Sequence, residues 1–189
     1  MREIDNYRDK ISPGKETRLF REWEKIDTQY SEHNKDISYI IRKRNPTGIP
    51  IMYDIIFRIP TIVRVSEPDS QGLQRPVFGD KHILRITLPN NYPSVDGGYP
   101  EFKFSTDVWH PNIRYFGDFK GRVCLNFSDA GADTNLVDYI EKVAEYLKYD
   151  DYHALDEYPY PEDSVVAQWV LQQAEPHNWL RFCHNNNTL

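Results

Sequence analysis

A chain of 189 residues suits one domain around one core, and residues 1–189 are read as such a unit. Its 23 Lys and Arg against 29 Asp and Glu leave a net charge of −6, so electrostatics favour neither nucleic acid nor an anionic membrane as a partner. No apolar run reaches the roughly 20 residues of a spanning helix, and the polar start Met1-Arg2-Glu3-Ile4-Asp5 does not suit a signal peptide, so a cytoplasmic location is expected.

In chain order, Leu19, Phe20, Trp23, Ile26 and Tyr30 recur near helical period and predict an amphipathic first helix. Lys15, Arg18, Arg21 and Lys25 form a basic stripe on it. β-Branched and aromatic residues dominate 37–44, 52–65, 81–88 and 101–106, with Pro- and Gly-containing stretches between the runs, which predicts four antiparallel strands in a meander. Residues 109–133 carry prolines, glycines and aspartates without periodicity, and long irregular stretches inside a compact domain are usually functional.

Helical period returns at Leu136, Tyr139, Ile140, Val143, Tyr146 and Leu147, with Asn135 placed as cap and Asp138 as its reciprocal partner. An acidic, tyrosine-rich segment at 150–163 follows. Val165, Val166, Trp169 and Val170 then predict a helix ending before Pro176, and Trp179, Leu180 and Cys183 a short terminal one. The fold class is therefore mixed α/β of the α+β kind: a helix, four strands, a long loop, then helices.

The phosphate loop GxxxxGK[ST], the dinucleotide fingerprint GxGxxG, HExxH and GxSxG are all missing, which removes the usual signals for nucleotide, zinc and serine chemistry. Two cysteines are too few for a disulfide framework or a thiolate zinc site, and neither metal nor cofactor is expected. Cys124, in Gly121-Arg122-Val123-Cys124-Leu125 within the irregular stretch, is the candidate nucleophile, and Cys183 reads as core packing.

Tyr92-Pro93, Pro100, Phe102, Phe104, Thr106, His110-Pro111-Asn112-Ile113, Gly121 and Cys124-Leu125 together resemble the ubiquitin-conjugating enzymes, whose element order the chain also follows. The resemblance implies a carrier that takes a ubiquitin-like modifier from an activating enzyme as a thioester on Cys124 and passes it to a target-protein amine. A thioester has little resonance stabilisation, so exchange between thiols is nearly isoenergetic and the bond stays reactive toward amines. A free thiol already supplies a few per cent thiolate near neutrality, so no strong base is needed.

On the same resemblance, Asn112 stabilises the oxyanion or braces the loop, and His110 and Pro111 support that loop. Asp163 either lies near the incoming lysine, favouring the neutral amine, or caps the helix that follows it. Lys15, Arg18, Arg21 and Lys25 form either the docking face for the activating enzyme or a solvated helix face. A cis Tyr99-Pro100 is also implied.

The chain departs from the common pattern in four places, one of them the unusual segment from Asp150 to Glu162. Asn112 and Cys124 stand twelve positions apart, Val95-Asp96-Gly97-Gly98 looks inserted, and Ser128-Asp129-Ala130-Gly131-Ala132-Asp133 replaces the usual tryptophan-proline pair. These features resemble divergent bacterial members encoded beside a modifier, an activating enzyme and a peptidase in anti-phage operons. Two other readings are a noncatalytic ubiquitin-binding or scaffold module of the same fold, and a stand-alone cysteine hydrolase using Cys124 and His110.

Overall fold

The computed structural model of the protein describes residues 3–30, 33–93, 98–125 and 135–184. Two 3-10 turns lead into α1 (Lys15–Gln29), where Glu16 accepts a hydrogen bond from the Ser12 N–H at 3.0 Å and satisfies a free amide just before the helix. Leu19, Phe20, Trp23 and Ile26 face inward as their period requires.

Six strands follow: β1 (Ile37–Arg44), β2 (Pro50–Phe57), β3 (Thr61–Val65), β4 (Pro76–Gly79), β5 (His82–Thr87) and β6 (Glu101–Phe104). The main sheet is antiparallel in the order β1-β2-β5-β6, and its four strands fall on the four expected runs. The run expected over 52–65 is not continuous. It breaks at Arg58-Ile59-Pro60, because proline lacks the N–H a ladder needs, and β3 leaves to pair with β4 in a separate two-stranded sheet. β4 was not expected, since four residues starting at Pro76 give almost no alternation to read.

Helix α2 (Leu136–Leu147) buries Leu136, Ile140, Val143, Ala144, Tyr146 and Leu147. Burying each large apolar side chain contributes roughly 1.5–3 kcal/mol relative to exposure. Its cap is the expected one: Asn135 accepts from the Val137 N–H at 3.0 Å, and Asp138 accepts from the Asn135 N–H at 2.9 Å. A second anchor was not expected. Glu22 of α1 is buried, and its carboxylate accepts from Arg18 Nε at 2.7 Å, the Tyr92 hydroxyl at 2.7 Å and the Leu136 N–H at 2.8 Å. Three donors compensate the desolvation of this charge and tie α1 to the start of α2.

Helix α3 (Ser164–Trp169) runs into a π-helical turn (Val170–Ala174) and ends before Pro176, and a 3-10 turn, Leu180–Cys183, stands where a terminal helix was expected. The core has two parts. One lies between the main sheet, α1 and α2. The other gathers Ile62, Trp109, Tyr149, Val166, Trp169, Val170 and Cys183 around α3. Cis bonds occur at Tyr92-Pro93 and Tyr158-Pro159, and the expected one at Tyr99-Pro100 is not among them, Pro100 leading directly into β6. Among the described residues, no helix is long and apolar enough to cross a membrane.

Candidate active site

The stretch between Asn112 and Cys124 closes on itself. The Arg114 N–H donates to the Arg122 carbonyl at 2.8 Å and the Gly121 N–H to the Arg114 carbonyl at 2.7 Å, making a small hairpin. Its return arm docks on β6, with the Phe104 N–H donating to the Gly121 carbonyl at 2.8 Å and the Val123 N–H to the Phe102 carbonyl at 3.1 Å. Gly121 is required there, since at φ 88° a Cβ would lie 2.2 Å from the Phe104 carbonyl oxygen. The lengthened spacing is thus a folded excursion, and Cys124 follows its docked arm.

Cys124 is exposed, and its backbone is held on both sides. Its N–H donates to the Asn112 carbonyl at 2.8 Å, and its carbonyl accepts from the Tyr146 hydroxyl of α2 at 3.3 Å. Partial burial, then the negative charge of Glu162, push the thiol above its ordinary pKa, while Arg122 pulls the other way. The thiolate fraction at neutral pH is therefore smaller than that of a free thiol. Cys183 is buried and its thiol is pushed up to about 12, first by burial, which leaves it inert.

The His110-Pro111-Asn112 turn is interior. His110 accepts the Asn112 N–H on Nδ1 at 3.1 Å and stacks on Tyr146 with ring centroids 5.2 Å apart. Burial lowers its pKa to about 3, so it stays neutral. Asn112 is 1% exposed, and its side-chain oxygen accepts from the His153 N–H at 2.8 Å, which braces the 150–163 segment beside Cys124. Among the described residues its buried Nδ2 makes no hydrogen bond of full geometry, and the Tyr146 hydroxyl is the acceptor close enough to interact with it. Pro111 accepts the Asp163 N–H on its carbonyl at 3.0 Å.

Asp163 is 2% exposed and is fully engaged by backbone. One oxygen accepts from Val165 N at 3.1 Å and Val166 N at 3.3 Å, capping α3, and the other from Tyr115 N at 2.9 Å and Phe116 N at 3.3 Å, holding the hairpin. Capping thus takes one oxygen of the carboxylate and the hairpin takes the other. Among the described residues, the carboxylate whose field reaches the thiol is its neighbour Glu162, which takes Arg122 at 2.7 and 2.9 Å and Arg114 at 3.3 Å. Glu162, Arg122, Arg114 and Tyr146 were not singled out from sequence. The acidic segment pointed to the neighbourhood, and the N-cap preference of aspartate drew attention to Asp163 rather than to Glu162.

On α1, Lys15, Arg21 and Lys25 are exposed, Lys15 donating to the Asn90 carbonyl, whereas Arg18 is half-buried on Glu22. The stripe therefore keeps three exposed cations, and the fourth serves the buried carboxylate. Residues 95–97 and 128–133, which belong to two of the departures, lie outside the described residues. Among the described residues, no group of three or more His, Cys, Asp and Glu could hold a metal ion.

No family model matches the chain. It is similar to ubiquitin-conjugating enzyme E2 27 of Arabidopsis thaliana, with 27% identity over 97 residues, a match covering 51% of this chain and 45% of that protein. The chain thus spans less than half the length of that relative. The likeness supports a relation to the ubiquitin-conjugating family, with which an α+β chain built on an antiparallel sheet is compatible.

Proposed function

We propose that the protein carries a ubiquitin-like modifier as a thioester on Cys124. It receives the modifier from an activating enzyme and passes it to an amine, a lysine of a target protein. The observation that carries this reading is an exposed cysteine whose main chain is held on both sides by Asn112 and Tyr146 and which, among the described residues, has no imidazole bonded to it. In charging, the Cys124 thiolate attacks the carbonyl of the incoming thioester and the donor thiolate leaves. In discharge, a neutral amine attacks the same carbonyl, the C–S bond breaks, Cys124 leaves as thiolate, and the amine's proton passes to solvent or a nearby base. The carrier supplies orientation, and the side-chain amide of Asn112, whose carbonyl holds the Cys124 N–H, serves as the donor to the oxyanion in this reading.

Two alternatives are less well supported. A hydrolase needs a base on the thiol, and His110 is buried, neutral and already bonded through Nδ1 to the Asn112 amide. A purely binding module has no use for an exposed thiol beside a folded loop. The reading extends to the cytoplasm and to a bacterial anti-phage operon, on the strength of the sequence departures. Neighbouring genes for a modifier with a C-terminal glycine, an activating enzyme and a peptidase would support it.

The test is reconstitution. With modifier, activating enzyme and ATP the protein should form an adduct lost on adding thiol reductant. Cys124→Ser should give a reductant-resistant ester or nothing, and Cys183→Ser should charge normally. A reductant-sensitive adduct persisting in Cys124→Ser overturns the assignment.

A further inference from the structure

The acidic segment after α2 is a strap fastened at both ends to the surroundings of Cys124. At its start the His153 N–H is held by the Asn112 side chain, whose own main chain holds Cys124. At its end Glu162 is clamped by Arg122 and Arg114, and the Asp163 N–H by the Pro111 carbonyl. Ala154 is buried in the second core, so the strap is seated there, while Leu155, Asp156, Glu157, Tyr158 and Tyr160 face solvent. Tyr158 is 80% and Tyr160 62% exposed, well beyond what packing two tyrosines into a fold produces.

The charges on the strap are not equally available. Asp151 pairs with Lys142 and Glu162 with its two arginines, while Asp150 Oδ1 lies 2.9 Å from His184 Nδ1. Among the described residues no ion pair engages Asp156 or Glu157, which stand between exposed Leu155 and Tyr158. The cations across the site are spoken for, Lys120 by Asp107 and Arg114 and Arg122 by Glu162. Among the described residues, the uncommitted surface of the strap is therefore apolar, aromatic and negative. Exposed aromatics of this kind are enriched at interfaces, and a tyrosine face attracts a cation.

We propose that this strap docks a basic segment of the target protein, one in which lysine or arginine lies near the acceptor lysine. Asp156 and Glu157 draw the cations, and Tyr158 and Tyr160 take their alkyl stems and charge. The proposal rests on the carrier reading for the acceptor's identity, but binding to the strap does not require a thioester. A weak contact suffices, because it raises the local concentration of the amine next to Cys124.

The experiment uses three labelled peptides with one central lysine, whose flanks are basic, neutral or acidic, titrated onto the uncharged full chain. The basic peptide should bind best, weaken with added salt, and lose about tenfold in affinity in Asp156→Lys/Glu157→Lys and in Tyr158→Ser/Tyr160→Ser, as loss of a few charge and cation–π contacts would give. Unfolding midpoints should not change, since all four side chains are exposed. On the charged carrier, the basic peptide should accept the modifier about tenfold faster than the neutral one, a preference both variants lose, while discharge to hydroxylamine stays at the wild-type rate. Equal binding of the three peptides, or unaltered basic-peptide binding in the variants, overturns the proposal. So does an effect of the variants confined to self-association or to binding free modifier. Failure of Cys124 to charge sinks the carrier reading alone, because peptide binding is read on the uncharged protein.

Discussion

Replacing Asp163 separates its two candidate roles. Asp163→Ala removes a carboxylate that accepts four backbone N–H groups: Val165 and Val166 at the start of α3, and Tyr115 and Phe116 in the hairpin. Losing a helix cap costs about 1 kcal/mol. Each hairpin amide left without its acceptor costs about 1 kcal/mol more, for a total of about 3 kcal/mol. A domain of this size loses about 2–4 °C of melting temperature per kcal/mol, so the midpoint should fall by about 6–12 °C in a thermal unfolding assay. Because the same carboxylate fixes the hairpin that leads to Cys124, charging and discharge should slow together, and raising the pH should not restore discharge. Asp163→Asn should recover much of the α3 cap, asparagine being a good N-cap, but not the second pair of acceptors. A midpoint within 2 °C of wild type, with discharge to lysine selectively lost at pH 7 and regained toward the lysine pKa of about 10.4, would refute this reasoning and return Asp163 to the reacting amine.

Two further outcomes follow from the site. Asn112→Ala should lower stability by about 1–3 kcal/mol through the stranded His153 N–H, and, if Nδ2 serves the oxyanion, should slow discharge about 10²- to 10³-fold beyond any loss in charging; equal slowing of the two steps leaves it only the bracing role. Glu162→Gln removes the negative charge that helps raise the Cys124 thiol pKa and leaves the arginine charges beside it, so the thiolate fraction should rise at every pH below that pKa. Iodoacetamide alkylation in a Cys183→Ser background should then accelerate at pH 7, with its pH profile shifted to lower pH, and superimposable profiles would show that the Glu162 charge does not reach the thiol.

Local pattern was enough for the elements whose signals lie within a turn or a strand. The 3.6-residue period of Leu19, Phe20, Trp23 and Ile26, the matching period in α2, and the Asn135–Asp138 cap depend on residues three or four apart, and they reappear in the structure. So do the four runs that became the main sheet. The same local reading ran β2 and β3 together, because β-branched residues continue on both sides of Pro60, where the missing N–H ends one ladder and β3 takes a different partner.

The candidate site divides along the same line. Sequence alone determined that a cysteine follows His110-Pro111-Asn112 in an irregular stretch, and that an acidic segment lies further on. Tertiary structure decided which side chains meet there: Arg122 finds Glu162 forty positions away, Asn112 finds the His153 amide forty-one away, and Glu22 reaches the Leu136 amide across 114. Glu162 and Asp163 are adjacent acids, and only Asp163 carries a local signal, that of an N-cap. In an extended backbone neighbouring side chains point to opposite sides, so one met the arginines beside Cys124 and the other turned inward onto four amides, an outcome set by the surfaces on either side of the strap.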